Sequence, residues 1–198
     1  MKIAAYTGTF NPLHTGHLTI MKYLTENMDF DMVYLVVSPQ SPFKLHINAE
    51  TGAERYRAAE EAIARHPGLK VRADDIELHL PAPQYTIRTL DALKSREPGN
   101  DFTLIMGADN LLSLNRWRDY RRILTEYGVA VYPRKGYDLK KIRESLMQEQ
   151  ECGEAAGNGH DVKKSYKIEI IDAPVVEISS SEIREGIAAG RDMSRWLM

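Results

Sequence analysis

The stretch that decides the fold is Thr7–His17, which reads TGTFNPLHTGH. It follows directly on a short apolar run, Lys2–Thr7, and it leads into a segment whose apolar residues recur at helical spacing. An apolar run of this length predicts a buried strand, and the glycine and the proline that follow predict a tight turn. A strand, a turn and a helix in this order are typical of the first unit of an α/β sheet.

Short apolar runs alternate with helical patterns along the rest of the chain. We expect strands at Lys2–Thr7, Met32–Ser38, Val71–Leu78, Phe102–Met106, Val129–Tyr132, Lys167–Ile171 and Val175–Ile178. The helical stripes are His17, Met21, Leu24 and Met28, then Ile87, Leu90 and Leu93, then Leu139, Ile142 and Leu146, with Asp138 as an N-cap of the last. Nearly continuous apolar strands favour parallel pairing with both faces covered. The predicted fold is therefore α/β, with a doubly wound and mostly parallel sheet.

Length and composition predict one domain over residues 1–198, with a formal charge of −2 and a single cysteine. One cysteine excludes an intrachain disulfide and a Cys-rich zinc site, and the absence of a basic excess disfavours a nucleic-acid partner. No apolar stretch reaches the length of a membrane span or of a signal-peptide core, so we expect a cytoplasmic protein that handles a small molecule, as a monomer or as a homo-oligomer. The glycine-rich segment Gln150–Ser165 predicts a flexible surface loop.

The first motif has the chemistry of an anion site. Ligands of parallel sheets bind at the carboxyl ends of the strands, where Gly8 permits a close approach and a helix N-terminus offers free N–H groups. His14 and His17 are three residues apart, so both rings can face the same side of the first helical turn. Two imidazoles that donate to phosphoryl oxygens suit a polyphosphate.

Two other interpretations of the histidines stay open at this point. His17 lies on the apolar stripe with Met21 and Leu24, and taken alone it is better explained as a core histidine that is hydrogen-bonded to backbone. An H-x-x-H metal site is the second alternative, although neither the flanking glutamate of H-E-x-x-H nor a third ligand is evident. The whole motif is more specific than any one of its members.

A second motif, Ser179–Arg184 (SSSEIR), follows the predicted strand Val175–Ile178. Ser179 and Glu182 have the spacing of a capping box, which predicts the start of a helix. Three hydroxyls, a helix N-terminus and Arg184 form a second anion site, unless the serines are only caps. If the sheet brings this helix beside the first one, the two sites can hold a single triphosphate.

These residues resemble the nucleotidylyltransferase superfamily, whose fold is Rossmann-like. Its signatures are G-x-F-x-P-x-H-x-G-H near the N-terminus and I-S-S-[ST]-x-[IV]-R near the end, and Gly8–His17 and Ile178–Arg184 match them. Further segments resemble its nicotinate-nucleotide adenylyltransferase members. These segments are Pro39–Lys44, Tyr85–Leu90, Ile105–Asn110 with Trp117, and Tyr132–Gly136. Members usually continue with a proline and a further helix beyond the position of Met198.

The resemblance implies transfer of the adenylyl group of ATP to nicotinate mononucleotide, giving nicotinate adenine dinucleotide and pyrophosphate in NAD biosynthesis. His17 and His14 are then the catalytic residues, and Mg²⁺ enters with the ATP phosphates rather than at a metal site of the protein. The implied ATP contacts are Gly8, Thr9, Phe10, His14, His17, Gly107, Asp109, Ile178, Ser180, Ser181 and Arg184. The implied mononucleotide contacts are Lys44, Tyr85, Thr86, Asp109, Trp117 and Arg134.

Three alternatives compete with this function. A pantetheine-phosphate adenylyltransferase would keep the chemistry and change the acceptor, but that enzyme lacks the Tyr85-Thr86 pair and the pairing of Asp109 with Trp117. A nucleotide-binding module without catalysis is disfavoured by the intact His14 and His17. A dinucleotide-binding oxidoreductase is disfavoured because no G-x-G-x-x-G follows the first strand.

Overall fold

The computed structural model describes residues 1–39, 51–154 and 165–198. Within these ranges six strands form one parallel sheet in the order β3-β2-β1-β4-β5-β6. The strands are β1 (Lys2–Gly8), β2 (Met32–Val37), β3 (Val71–Asp74), β4 (Asp101–Gly107), β5 (Val129–Tyr132) and β6 (Ile168–Ile170). The strand order reverses between β1 and β4, as in doubly wound Rossmann-like sheets, which confirms the predicted fold class.

Helices connect the strands. They are α1 (Thr15–Glu26), α2 (Gly52–Ala64), α3 (Ile76–His79), α4 (Thr86–Arg96), α5 (Ala108–Ser113), α6 (Tyr120–Arg122), α7 (Leu139–Glu154) and α8 (Ser180–Ala188). Two 3₁₀ turns span Leu114–Arg116 and Ser194–Trp196, and a π-helical turn spans Ile123–Tyr127. The predicted stripe of α4 is buried, and Asp138 accepts a hydrogen bond from the N–H of Lys141 at 3.1 Å, as expected of the N-cap of α7.

The core has two halves, one on each face of the sheet. Alternate residues of β1 point to opposite faces, so Ile3 and Ala5 join one cluster while Ala4 and Tyr6 join the other. The first cluster packs against α4 and the second against α1, whose Met21 and Leu24 are fully buried. Coverage on both faces explains why the strands are apolar almost without interruption.

Two of the predicted strands are wrong. Residues Val71–Leu78 divide into β3 and the short helix α3, because the carboxylate of Asp74 accepts the N–H of Ile76 at 3.1 Å and turns the chain. Residues Val175–Ile178 form no strand. The N–H of Ile178 donates to the carbonyl of Val176 at 2.9 Å, which makes a tight turn in place of a ladder.

The predicted loop Gln150–Ser165 is also wrong at its start, because α7 continues to Glu154. The side-chain oxygen of Gln150 accepts a hydrogen bond from the N–H of Tyr166 at 3.1 Å, which ties this part of the helix to the chain entering β6. Residues 155–164 of the predicted loop lie outside the described residues. In the ranges that the structure describes, no helix has the length and apolarity needed to cross a membrane.

Candidate active site

The turn after β1 is built around two unusual residues. Phe10 has a positive φ of 46°, a conformation that is uncommon for a bulky side chain, and its ring is 5% exposed. A Cβ at Gly8 would lie 3.0 Å from that ring, so glycine makes the room in which the ring lies. The Phe10 ring packs inward, edge-on to Tyr6 at 5.3 Å, so this side chain does not cover the turn.

His14 and His17 cap the helix α1 together. His14 is the N-cap, and its Nδ1 accepts the N–H of Gly16 at 3.1 Å. The Nδ1 of His17 accepts the N–H of His14 at 3.2 Å, so the two imidazoles reproduce the reciprocal bonds of a capping box. Their ring centroids lie 3.7 Å apart, which confirms that the two side chains share one side of the helix.

These bonds also define the protonation of both rings. A neutral imidazole whose Nδ1 accepts carries its proton on Nε2, so each ring keeps one N–H to donate. Burial lowers the pKa of His14 to about 4 from its ordinary value of 6.5, and the charge of Arg134 acts in the same direction. Burial, the neighbouring His14 ring and Arg134 hold the pKa of His17 well below 6.5. Both rings are therefore neutral donors near pH 7.

The second motif lies against the first. The sequence predicted this arrangement for the case that the sheet brings the two helices side by side. The Ser180 hydroxyl donates to the carbonyl of Pro12 at 3.0 Å, and Nη1 of Arg184 donates to the carbonyl of Asn11 at 2.6 Å. Nη2 of Arg184 also donates to the Ser181 hydroxyl at 3.0 Å. We call His14, His17, Ser180, Ser181 and Arg184 the phosphate cradle, because it joins two helix N-termini, neutral donors and one fixed positive charge.

The predicted N-cap of α8 is present, but one of the two hydrogen bonds expected of a capping box differs. Ser179 Oγ accepts the N–H of Glu182 at 3.2 Å, as a helix N-cap does. The Glu182 carboxylate accepts from the hydroxyl of Ser179 at 2.7 Å rather than from its backbone N–H. Ser179 is thus occupied by the cap, whereas the next two serines face the first motif and Arg184.

A second group of polar residues lies at the carboxyl ends of β4 and β5. Nε of Arg134 is 3.6 Å from Oδ1 of Asp109, and its Nη2 donates to the Tyr132 hydroxyl at 3.2 Å. A Cβ at Gly107 would lie 2.4 Å from the Asp109 carboxylate and 3.1 Å from Arg134, so a larger residue would displace this pair. Arg134 lines the same cleft as the two histidines.

That cleft runs from the start of α1 to the end of β5 and is closed on its third side by the chain before α8. Ile178, which the resemblance assigned to ATP, lines it together with Pro174 and Val176. Among the residues described, no three His, Cys, Asp or Glu side chains are grouped closely enough to hold a metal ion.

The residues expected to contact the nicotinate ring lie apart from this cradle. Tyr85 is the residue before α4, and Thr86 is the first residue of that helix, where backbone N–H groups have no partner within the helix. Tyr85 and Trp117 both pack, partly buried, against the same half of the core. We call Tyr85, Thr86 and Trp117 the ring side.

Sequence reasoning missed two cations at the ring side. The guanidinium of Arg88 lies 5.2 Å from the centroid of the Tyr85 ring, and that of Arg118 lies 5.4 Å from it. Two signals were available in the sequence: Arg118 directly follows Trp117, and Arg88 stands three residues after Tyr85. Lys44, the remaining residue assigned to the mononucleotide, lies outside the described residues.

A model of the cytidylyltransferase-like family matches residues 5–186. A protein of Flavobacterium johnsoniae named "Probable nicotinate-nucleotide adenylyltransferase" is 37% identical over 193 residues, which cover 98% of this chain and 90% of that protein. One of the same name from Flavobacterium psychrophilum is 41% identical over 187 residues, which cover 94% and 86%.

The chain belongs to the nicotinate-nucleotide adenylyltransferase family. A solved structure agrees in fold. The nicotinic acid mononucleotide adenylyltransferase of Plasmodium falciparum, complexed with NaAD, superposes with a TM-score of 0.74 at 17% identity, and the match covers 99% of this chain and 90% of that one.

Proposed function

We propose that the chain transfers the adenylyl group of ATP to nicotinate mononucleotide, releasing pyrophosphate and forming nicotinate adenine dinucleotide for NAD biosynthesis. The observation that carries this function is the pair of neutral imidazoles at the start of α1, with Ser180 and Arg184 bonded to the same turn. Membership of the nicotinate-nucleotide adenylyltransferase family supports the choice of acceptor. Because ATP is a cytoplasmic metabolite, a cytoplasmic location follows from the same proposal.

The reaction needs no protein base. An oxygen of the mononucleotide phosphate, which is already ionised, attacks the α-phosphorus of ATP. A new P–O bond forms, the bond from the α-phosphorus to the bridging oxygen breaks, and that oxygen leaves with the pyrophosphate. Catalysis is then positioning together with stabilisation of charge on the phosphoryl oxygens.

The phosphate cradle supplies both. The Nε2–H of His17 donates to the α-phosphoryl group as its negative charge grows, and His14 and the Gly8–Phe10 backbone hold the phosphate chain. Ser180, Ser181 and Arg184 hold the β- and γ-phosphates that leave. Neutral imidazoles are suited to this task because they donate at pH 7 without the cost of burying a charge.

ATP enters as its Mg²⁺ complex. The cradle is made of N–H, hydroxyl and guanidinium donors, which match phosphate oxygens and leave the hard cation to the phosphates themselves. Such a cation neutralises charge on the leaving pyrophosphate when it is bound.

The acceptor extends from Arg134 in the cleft to the ring side. Trp117 and Tyr85 stack on the nicotinate ring, and the Thr86 N–H at the start of α4 receives its carboxylate. Lys44 and Arg134 meet the mononucleotide phosphate, while Gly107 and Asp109 border the sugars, with the carboxylate accepting hydroxyl protons. Ile178 borders the adenosine.

The decisive experiment measures pyrophosphate release from ATP and Mg²⁺ with three acceptors. We expect nicotinate mononucleotide to be used with a kcat/KM at least tenfold above that of nicotinamide mononucleotide, because only the former has the carboxylate. Equal values for the two mononucleotides would contradict the carboxylate site at Thr86. A preference for 4′-phosphopantetheine would replace the acceptor while leaving the phosphate chemistry in place.

A further inference from the structure

Arg55 is a charged residue that the function described above does not use. It lies in the first turn and a half of α2, and it is 2% exposed. Arginine is seldom buried to this extent, because the guanidinium must exchange its water for hydrogen-bond acceptors that protein groups supply. The identity of those acceptors therefore indicates what the residue does.

The acceptors come from two different strand ends. Nη1 of Arg55 donates to the carbonyl of Thr9 at 2.6 Å and to the carbonyl of Ser38 at 2.7 Å. Nη2 donates to the carbonyl of Pro39. Thr9 belongs to the turn after β1, whereas Ser38 and Pro39 follow β2, so one planar guanidinium joins two loops that are 29 residues or more apart in the chain.

The two loops leave the sheet side by side. β1 and β2 pair in parallel up to Gly8 and Val37, and the N–H of Ser38 donates to the carbonyl of Gly8 at 2.8 Å. Beyond that bond the pairing of β1 with β2 ends, and the guanidinium of Arg55 links the two loops. It also holds the carbonyl that directly precedes Phe10, the residue with positive φ, so it stabilises the conformation that this turn adopts.

We propose that Arg55 is a positioning residue, whose guanidinium fixes the turn after β1 relative to the chain that leaves β2 and thereby keeps the Gly8–Phe10 backbone where it aligns ATP for attack. In this role Arg55 acts on the reaction through the backbone of Thr9 and Ser38. This role rests on the proposed adenylyl transfer. An error of about 1 Å in the alignment of reacting groups can reduce a rate by about a hundredfold, whereas binding of each substrate alone is much less sensitive.

The test compares the same substitutions at two arginines of α2. Arg55→Lys keeps the positive charge but loses the forked N–H groups of the guanidinium, and Arg55→Met loses both. Arg57→Lys and Arg57→Met are matched controls on the exposed side of the same helix. We expect Arg55→Lys to lower kcat about 10- to 100-fold, with the KM for ATP changed by less than about threefold, and the Arg57 variants to stay within twofold of wild type.

The kcat of each variant is divided by its folded fraction, which circular dichroism measures at the assay temperature. A purely structural role would lower the folded fraction and leave kcat per folded molecule unchanged, and that result would overturn the proposal. A normal kcat in Arg55→Lys would overturn it as well. Should Arg55→Met fail to fold, the lysine variant carries the test alone.

Amide hydrogen exchange supplies a readout that does not depend on activity. Arg55→Lys should speed exchange in peptides covering Thr7–Asn11 and Val36–Ser38, with β4 and β5 unchanged, and unchanged exchange at the two loops would contradict the proposal. If wild type transfers adenylyl groups only to another acceptor, that acceptor serves for the kinetics. If it transfers to none, the proposed function fails, while the exchange data still decide whether Arg55 holds the two loops.

Discussion

The phosphate cradle and the ring side are built in different ways. In the cradle, Ser180 and Arg184 are hydrogen-bonded to Pro12 and Asn11 across more than 160 residues of sequence, and the two histidines hold each other through the start of α1. The ring side is held by packing of the partly buried Tyr85 and Trp117 against the core. In the proposed function the cradle is therefore preorganised for the charged phosphates, while the ring side offers a surface for the nicotinate ring. Substitutions in the cradle should act on kcat, and those at the ring side on the KM of the acceptor.

The largest effect is expected at His17. His17→Ala removes the proposed donor to the α-phosphoryl group and should lower kcat by about 10²–10³, or about 2.7–4 kcal/mol of transition-state stabilisation. Steady-state pyrophosphate release at saturating substrates measures it. His79→Ala is the matched control, because that histidine is exposed and paired with Asp75 outside the cleft. Turnover of His17→Ala close to wild type would remove His17 from the mechanism.

The second effect is the pH dependence of the free energy of unfolding. The folded protein keeps His14 neutral down to a pKa of about 4, whereas the unfolded chain binds the proton near the ordinary value of 6.5. The unfolded state thus binds more protons between pH 6.5 and 4, so stability is full above this window and falls as the pH decreases through it. We expect this residue to account for about 2–3 kcal/mol of the loss in the free energy of unfolding.

Urea denaturation at pH 7.5 and pH 4.5 measures that loss. His14→Asn can still cap the helix and does not titrate in this range, so it should lose about 2–3 kcal/mol less than wild type between the two pH values. His79→Asn should behave like wild type. Parallel losses in His14→Asn and wild type would show that the buried ring is not the origin of the acid sensitivity.

The smallest effect is expected at the ring side. Trp117→Ala removes the face proposed to stack on the pyridinium ring, a contact of about 0.5–2 kcal/mol, so the KM for nicotinate mononucleotide should rise about 2- to 30-fold. The KM for ATP should stay unchanged and serves as the internal control, and Trp117→Phe should recover part of the loss. A fall in kcat with both KM values intact would place Trp117 with the cradle and end the distinction between the two regions.

The outcome of the sequence predictions follows the range of the interactions. The strand, the turn and the helix around Thr7–His17, and the helix start after Ser179, depend on neighbouring residues and were predicted correctly. The two errors are hydrogen-bonded turns that the apolar pattern does not reveal. At Val71–Leu78 the carboxylate of Asp74 accepts the N–H of Ile76, and a bond to Arg96 of α4 holds this buried carboxylate in place. At Val175–Ile178 the N–H of Ile178 donates to the carbonyl of Val176.

In the candidate site, the motifs could be predicted from the sequence, whereas most contacts between residues could not. The motifs identified His14, His17, Ser180 and Arg184 by residue type, but the reciprocal cap between the histidines is a property of the folded turn. Arg118 was missed because its approach to Tyr85 depends on the packing of α4 against the chain after α5, whereas Arg88 follows Tyr85 by three residues in the first turn of α4 and could have been found from that spacing. Arg55 was missed because an arginine in an amphipathic helix has the same sequence signature whether it is exposed or buried.

The sequence by itself determined the fold class, the two motifs at helix starts and the family resemblance, because apolar periodicity, turn residues and helix caps act over a few residues. Only the tertiary structure decided that the two motifs form one cradle, that both histidines are neutral, and that one guanidinium joins the turn after β1 to the chain after β2. Each of these depends on burial and on contacts between distant segments. Desolvation and hydrogen-bond geometry exist only once the sheet has brought those segments together.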